Sequence, residues 1–211
     1  MELLICFFSK FMDVERVALG SGQSGASALR KLIFLVFCTK AFLKGHKGTR
    51  YDKSQNEKKK LSILYVLWIF LCLLDKNKNL DKLRKAVISG KLVLVDRWIQ
   101  DIDLKFADAP RLSLYKDEKG ILGLVARFEE SIFRKSALMQ PSQIVVLDIS
   151  ARNSVLRKPE DLTLEQAERS AKDMLNFKWS EIAPTTVVDG NLNQEEVLKS
   201  LTSIIFSSFR V

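Results

Sequence analysis

Histidine is almost missing from this chain: His46 is the only one, so Ser-His-Asp and Cys-His catalysis are excluded. Cysteine is scarce and odd in number. Cys6, Cys38 and Cys72 are far apart and set in apolar runs, which points to reduced core thiols and not to a disulfide framework. No zinc-ligand spacing occurs. The longest apolar run, Leu61–Leu74, is shorter than the roughly 20 residues a spanning helix needs, so it reads as a buried core helix. The run at Leu32–Leu43 is interrupted by Lys40. Met1–Phe11 is apolar but lacks a basic start and a small-residue cleavage site, so it does not read as a signal peptide. Also absent is any G-x-x-x-x-G-K-[ST], the loop that cradles nucleotide phosphates.

What is present is basic and of ordinary globular composition. The 211 residues carry a net charge of +9 with 47% apolar residues, enough chain for one domain with a sizeable core. The charge suggests an anionic partner, whether nucleotide, nucleic acid or membrane surface.

Along the chain, strand and helix patterns alternate. Met1–Phe11 has apolar residues at helical spacing and reads as the tail of a helix, and Val14–Leu19 follows as a strand. The segment 20–27 is glycine-rich and precedes the helical run Ala28–Leu43. Gly20 and Gly25 match the glycines of a phosphate loop, yet Ala26 stands where its lysine belongs, so a defective phosphate loop and a plain strand-to-helix turn both remain open. Lys44–Lys60 has no periodicity and reads as a mobile basic loop. Leu61–Leu74 reads as a buried helix. Asp81–Ser89 is read as a further helical stretch with Leu83 and Val87 on one face, ended by Gly90.

Lys91–Arg97, Lys-Leu-Val-Leu-Val-Asp-Arg, is a short apolar run predicted to be a strand buried on both faces. Ligands of parallel sheets sit at the carboxyl ends of the strands, which puts Asp96 and Arg97 where a metal-bound phosphate would be handled, unless they form a plain ion pair. Trp98–Leu114 reads as a loop with Asp101, Asp103, Asp108 and Arg111, acids that either hold Mg²⁺ or are simply solvated. Leu124–Met139 is an amphipathic helix with Val125, Phe128, Ile132 and Phe133 inward. Gln143–Ile149 is a strand ending at Asp148, and Arg152, Arg157 and Lys158 cluster just beyond it. Thr163-Leu-Glu-Gln166 is a capping box opening a helix to about Phe177. Thr185–Asp189 is the last strand, and Asn193-Gln-Glu-Glu196 caps a helix carrying Val197, Leu201, Ile204 and Ile205.

This order of elements is that of a doubly wound α/β domain, with helices on both faces of a parallel sheet. Val14–Gly22, Lys91–Arg97, Phe106-Ala-Asp-Ala-Pro110, Arg157-Lys-Pro-Glu160 and Val187-Val-Asp189, in that order, resemble the thymidylate-kinase-like proteins of the P-loop nucleoside monophosphate kinase class. The closest likeness is to the bacterial branch linked with polysaccharide gene clusters.

The resemblance implies a single domain over residues 1–211 that lacks the family's first, central strand and its phosphate loop, with 20–27 as the turn after the second strand. It implies transfer of the ATP γ-phosphoryl group to a nucleoside monophosphate, with ATP and Mg²⁺ as cofactors; the cytoplasmic setting is the expectation from the reduced thiols. Arg97 would bind the acceptor phosphate, with Phe106 and Asp108 also on the acceptor side. Asp96 would sit near the transferred group and its Mg²⁺. Arg157, with Arg152 and Lys158, would be lid cations on the polyphosphate. Nucleic acid is not expected as a partner; membrane-surface contact and a homodimer stay open. The alternative functions are a non-catalytic nucleotide- or phosphosugar-binding protein and a membrane-surface protein.

Overall fold

The computed structural model describes residues 1–20, 61–100, 109–157 and 163–209. The expected helix at 28–43, the basic loop at 44–60, Cys38, and the loop acids Asp101, Asp103 and Asp108 lie outside the described residues. The fold is α/β, with short parallel strand pairs flanked by helices. The chain divides into two compact units, Phe11–Met139 and Met1–Lys10 with Gln140–Val211.

In the unit Phe11–Met139, β1 (Val14–Ala18) and β2 (Leu92–Asp96) pair in parallel, with Val14 opposite Leu92 and Ala18 opposite Asp96. Between them runs α2 (Ile63–Ile88), one helix of 26 residues, about 39 Å long. The two stretches read separately in the sequence, Leu61–Leu74 and Asp81–Ser89, run together in this one continuous helix. Residues 75–79 are polar but hold neither Gly nor Pro, and Lys76 and Leu80 carry the buried stripe through Val66, Ile69, Leu73 and Leu83. Val87, expected beside Leu83, is exposed.

The helix is closed at both ends by local chemistry. Ser62 Oγ accepts from Tyr65 N–H at 3.2 Å. At the other end Gly90, at φ 72°, sends its N–H to the Val87 carbonyl while Lys91 N–H reaches Ala86. That pattern is a Schellman stop, which needs a left-handed residue at the glycine. α3 (Gly120–Ala137) packs on α2. The core joins Val17 and Leu19 to the α2 stripe and to Leu112, Tyr115, Val125, Ala126, Ile132 and Phe133. β2 is half-buried along its length, against the expectation of burial on both faces; among the described residues its ladder runs along one edge, with β1.

The other unit pairs β3 (Ile144–Asp148) in parallel with β4 (Thr185–Asp189), with Asp148 opposite Asp189. α4 (Ala151–Arg157) and α5 (Leu164–Asn176) follow β3, and α6 (Gln194–Ser208) follows β4. Both expected capping boxes are present, Thr163 with Gln166 and Asn193 with Glu196. α1 (Glu2–Phe8) is a helix, as the apolar spacing implied. Its Leu4 and Phe8 are buried, and Phe8 lies 5.3 Å from the Phe206 ring of α6. Cys6 falls on the opposite face and is exposed, so the core reading holds for Cys72 and not for Cys6.

Candidate functional site at the strand ends

β1 and β2 end in step, and the ladder continues one residue further: Leu19 N–H donates to the Asp96 carbonyl at 3.1 Å. Gly20 and Arg97 therefore emerge side by side. Arg97 has φ 63° and is the one non-glycine residue with a left-handed backbone among those described. Such a conformation is uncommon for a long side chain and clusters at functional sites. Its side chain is exposed, and among the described residues its guanidinium has no hydrogen-bond or ion-pair partner.

The Asp96 carboxylate goes elsewhere. Arg16 and Ala18 share a face of β1, so Asp96, opposite Ala18, is a diagonal neighbour of Arg16; their charged atoms are 4.0 Å apart. The sequence thus places Asp96 and Arg97 next to each other, while the structure turns Asp96 toward Arg16 and leaves the Arg97 side chain exposed.

The strand end is fixed to α2 by side chains from one turn of that helix. Asn79 Nδ2 donates to the Ala18 carbonyl at 2.7 Å. Lys82 reaches the Arg16 carbonyl at 3.4 Å and the Glu15 carboxylate at 2.6 Å. The Lys82 hydrogen bond, partly opposed by desolvation, holds the Glu15 carboxyl below its ordinary range.

A second polar group in this unit gave no function-like signal in the sequence. Glu129 is buried at 3% exposure and accepts from the N–H groups of Arg111 and Leu112 at 2.9 and 2.6 Å. Burial raises its pKa, against the pull of those two hydrogen bonds and of Lys76 and Arg111. The Arg111 guanidinium lies 5.1 Å from the Trp68 ring centre, and Lys76 Nζ 5.2 Å from that of Phe133. A cavity of about 20 Å³ sits among Trp68, Cys72, Lys76, Arg111 and Glu129, room for about one water. The cluster anchors the backbone at residues 111–112. The signal that could have marked it is an acid on the apolar stripe of α3, between Val125 and Ile132.

In the other unit the end of β4 is organised by Asn191. Its N–H and Nδ2 both donate to Asp189 Oδ1 at 2.8 Å, and its Oδ1 accepts from Ser150 N–H and Asn153 Nδ2 at 2.9 Å. Arg157 donates to the Gly190 carbonyl at 3.0 Å, and Arg152 is exposed. The Asp-Gly-Asn sequence after a strand is turn chemistry that could have marked this loop. Phe106, Asp108 and Lys158 lie outside the described residues. Among the described residues no three His, Cys, Asp or Glu side chains gather as a metal-binding group, and no helix is long and apolar enough to cross a membrane.

A guanidinium donates in pairs and accepts nothing, so an exposed arginine fork beyond parallel strands has the chemistry to receive a phosphate or carboxylate. No family model matches the chain. Two curated relatives match it at 27% identity over 161 residues, covering 74% of this chain and 62% of theirs. Both carry the name Uncharacterized ATP-binding protein YghR, one from Escherichia coli strain K12 and one from Escherichia coli O6:H1. The chain spans less than two thirds of the length of these relatives.

Proposed function

We propose that this chain binds the phosphates of a nucleotide at the carboxyl ends of its parallel strands, with Arg97 as the anion-binding side chain. The observation that carries the reading is the exposed Arg97, held at φ 63° directly after β2. The name of the two relatives supports a nucleotide as the ligand. In the finer form of the proposal the protein is a thymidylate-kinase-like phosphotransferase working on ATP and a nucleoside monophosphate. In that form Arg97 holds the acceptor phosphate and Phe106 and Asp108 serve the acceptor; the resemblance gives Arg152, Arg157 and Lys158, which belong to the other unit, the charge of the polyphosphate.

Asp96 fits a Mg²⁺ site of the usual kind, in which one or two carboxylates suffice because substrate phosphates and water complete the shell. Bound Mg²⁺ would offset phosphate charge. Asp96 also lies 4.0 Å from Arg16, so charges of both signs stand at the strand end.

A second reading, nucleotide binding without catalysis, is favoured by the lack of G-x-x-x-x-G-K-[ST] in this sequence, since phosphoryl transfer depends on positioned charge around the phosphates. Calorimetric titration with Mg²⁺–ATP and a panel of nucleoside 5′-monophosphates tests the shared claim. Binding that Arg97→Ala weakens supports it; no binding by the wild-type chain contradicts it. Turnover then separates the two readings.

A further inference from the structure

Gly20 follows β1 and is buried. Its backbone is not left-handed, because Gly90 and Gly120 are the glycines with positive φ among those described. Conformational freedom is therefore not what the position requires; space is. A Cβ at Gly20 would lie 2.8 Å from Arg97 Cδ, 3.7 Å from Nε and 3.8 Å from Cβ. The arginine stem crosses the glycine at a separation no side chain of its own would allow.

Two features fix this crossing. The Leu19 to Asp96 hydrogen bond at 3.1 Å sets Gly20 against Arg97 in register, and the left-handed backbone of Arg97 sets the direction in which its side chain leaves. We infer that Gly20 is a positioning residue for Arg97: it forms a backbone shelf on which the arginine stem lies, so that the guanidinium faces an incoming phosphate in one orientation. This rests on the reading of Arg97 as the anion-binding group and adds to it a determinant that touches no ligand.

The atoms a Cβ would meet belong to a flexible, exposed side chain and not to backbone. A methyl group at Gly20 can therefore be accommodated by moving Arg97, with the sheet left in place. The effect of Gly20→Ala belongs in ligand affinity and not in stability.

The test uses the full chain, the tightest-binding member of a nucleoside 5′-monophosphate panel as probe, and inorganic phosphate as a base-free control. Arg97→Ala, Gly20→Ala and the double variant are titrated, and the melting temperature of each is recorded. Gly20→Ala is expected to weaken binding of the monophosphate about 2- to 12-fold, the scale of a side chain forced off its preferred rotamer, with an unchanged melting temperature. In the Arg97→Ala background the same substitution should cost nothing further.

If Arg97→Ala weakens binding and Gly20→Ala does not, or if the two losses add, the shelf is overturned while the Arg97 reading stands. If Arg97→Ala has no effect, the Arg97 reading falls and the shelf with it. Should Gly20→Ala fail to fold, the double variant decides: recovery of folding confirms that Arg97 is what the methyl group strikes, and failure shows that Gly20 is constrained by something else.

Discussion

A left-handed arginine costs on the order of 1–3 kcal/mol of backbone strain, and the structure shows no described partner for its guanidinium that would offset it. Arg97→Gly should relieve the strain, so the variant is expected to be as stable as the wild type or up to about 1 kcal/mol more stable in urea unfolding, while losing anion binding. A variant that unfolds would contradict this and would show that Arg97 is needed for the fold. Glu129 is the opposite kind of residue, buried and fully used. Glu129→Gln replaces one accepting oxygen with a donor that must face an N–H, at a cost of about 1–3 kcal/mol.

The pH response of Glu129 follows from the direction of its shift. Burial raises its pKa, so the folded state holds the proton more readily than the unfolded chain. Its contribution is full below the ordinary glutamate range and is lost as pH rises through the raised value. Glu15 and Asp81 are shifted down by their lysine hydrogen bonds, and their contributions are lost as pH falls through the lowered values. Glu129→Gln should therefore flatten the stability profile above the ordinary range and leave the acid limb unchanged. A profile altered only on the acid side would contradict the assignment.

At the scale of elements, most of the fold was legible because most ends carry their own chemistry. The two capping boxes, the Gly90 stop and β4 were readable residue by residue. Asn193→Ala should lower stability by about 1 kcal/mol by removing the acceptor for Glu196 N–H, measured by urea unfolding; no change would mean that the α6 start is held by packing alone. The continuity of α2 was not legible, since the polar stretch at residues 75–79 separates the two apolar patterns until Lys76 is seen lying against Phe133. Of the candidate site, the position of Arg97 was readable from the strand pattern. Its left-handed backbone, the separate route of Asp96 to Arg16 and the role of Gly20 were not, because each depends on the register between strands more than 70 residues apart in sequence. Arg157, a lid cation by the family resemblance, donates to the Gly190 carbonyl, a contact invisible in a charge pattern.

For the whole molecule, the net charge of +9 should make nucleotide affinity fall with added salt, because long-range attraction is screened within about 10 Å at 0.1 M. With no G-x-x-x-x-G-K-[ST] in the sequence, turnover of Mg²⁺–ATP with any nucleoside monophosphate is expected well below the usual kinase range of about 1–100 s⁻¹; turnover within that range would exclude the reading without catalysis. The most direct test of the central claim is calorimetric titration of a nucleoside 5′-monophosphate into wild-type and Arg97→Ala protein side by side. The expected result is a loss of roughly 10- to 100-fold in affinity, the scale of a charge-assisted hydrogen bond, with the far-ultraviolet circular dichroism unchanged. Equal affinities for the two proteins would contradict the account.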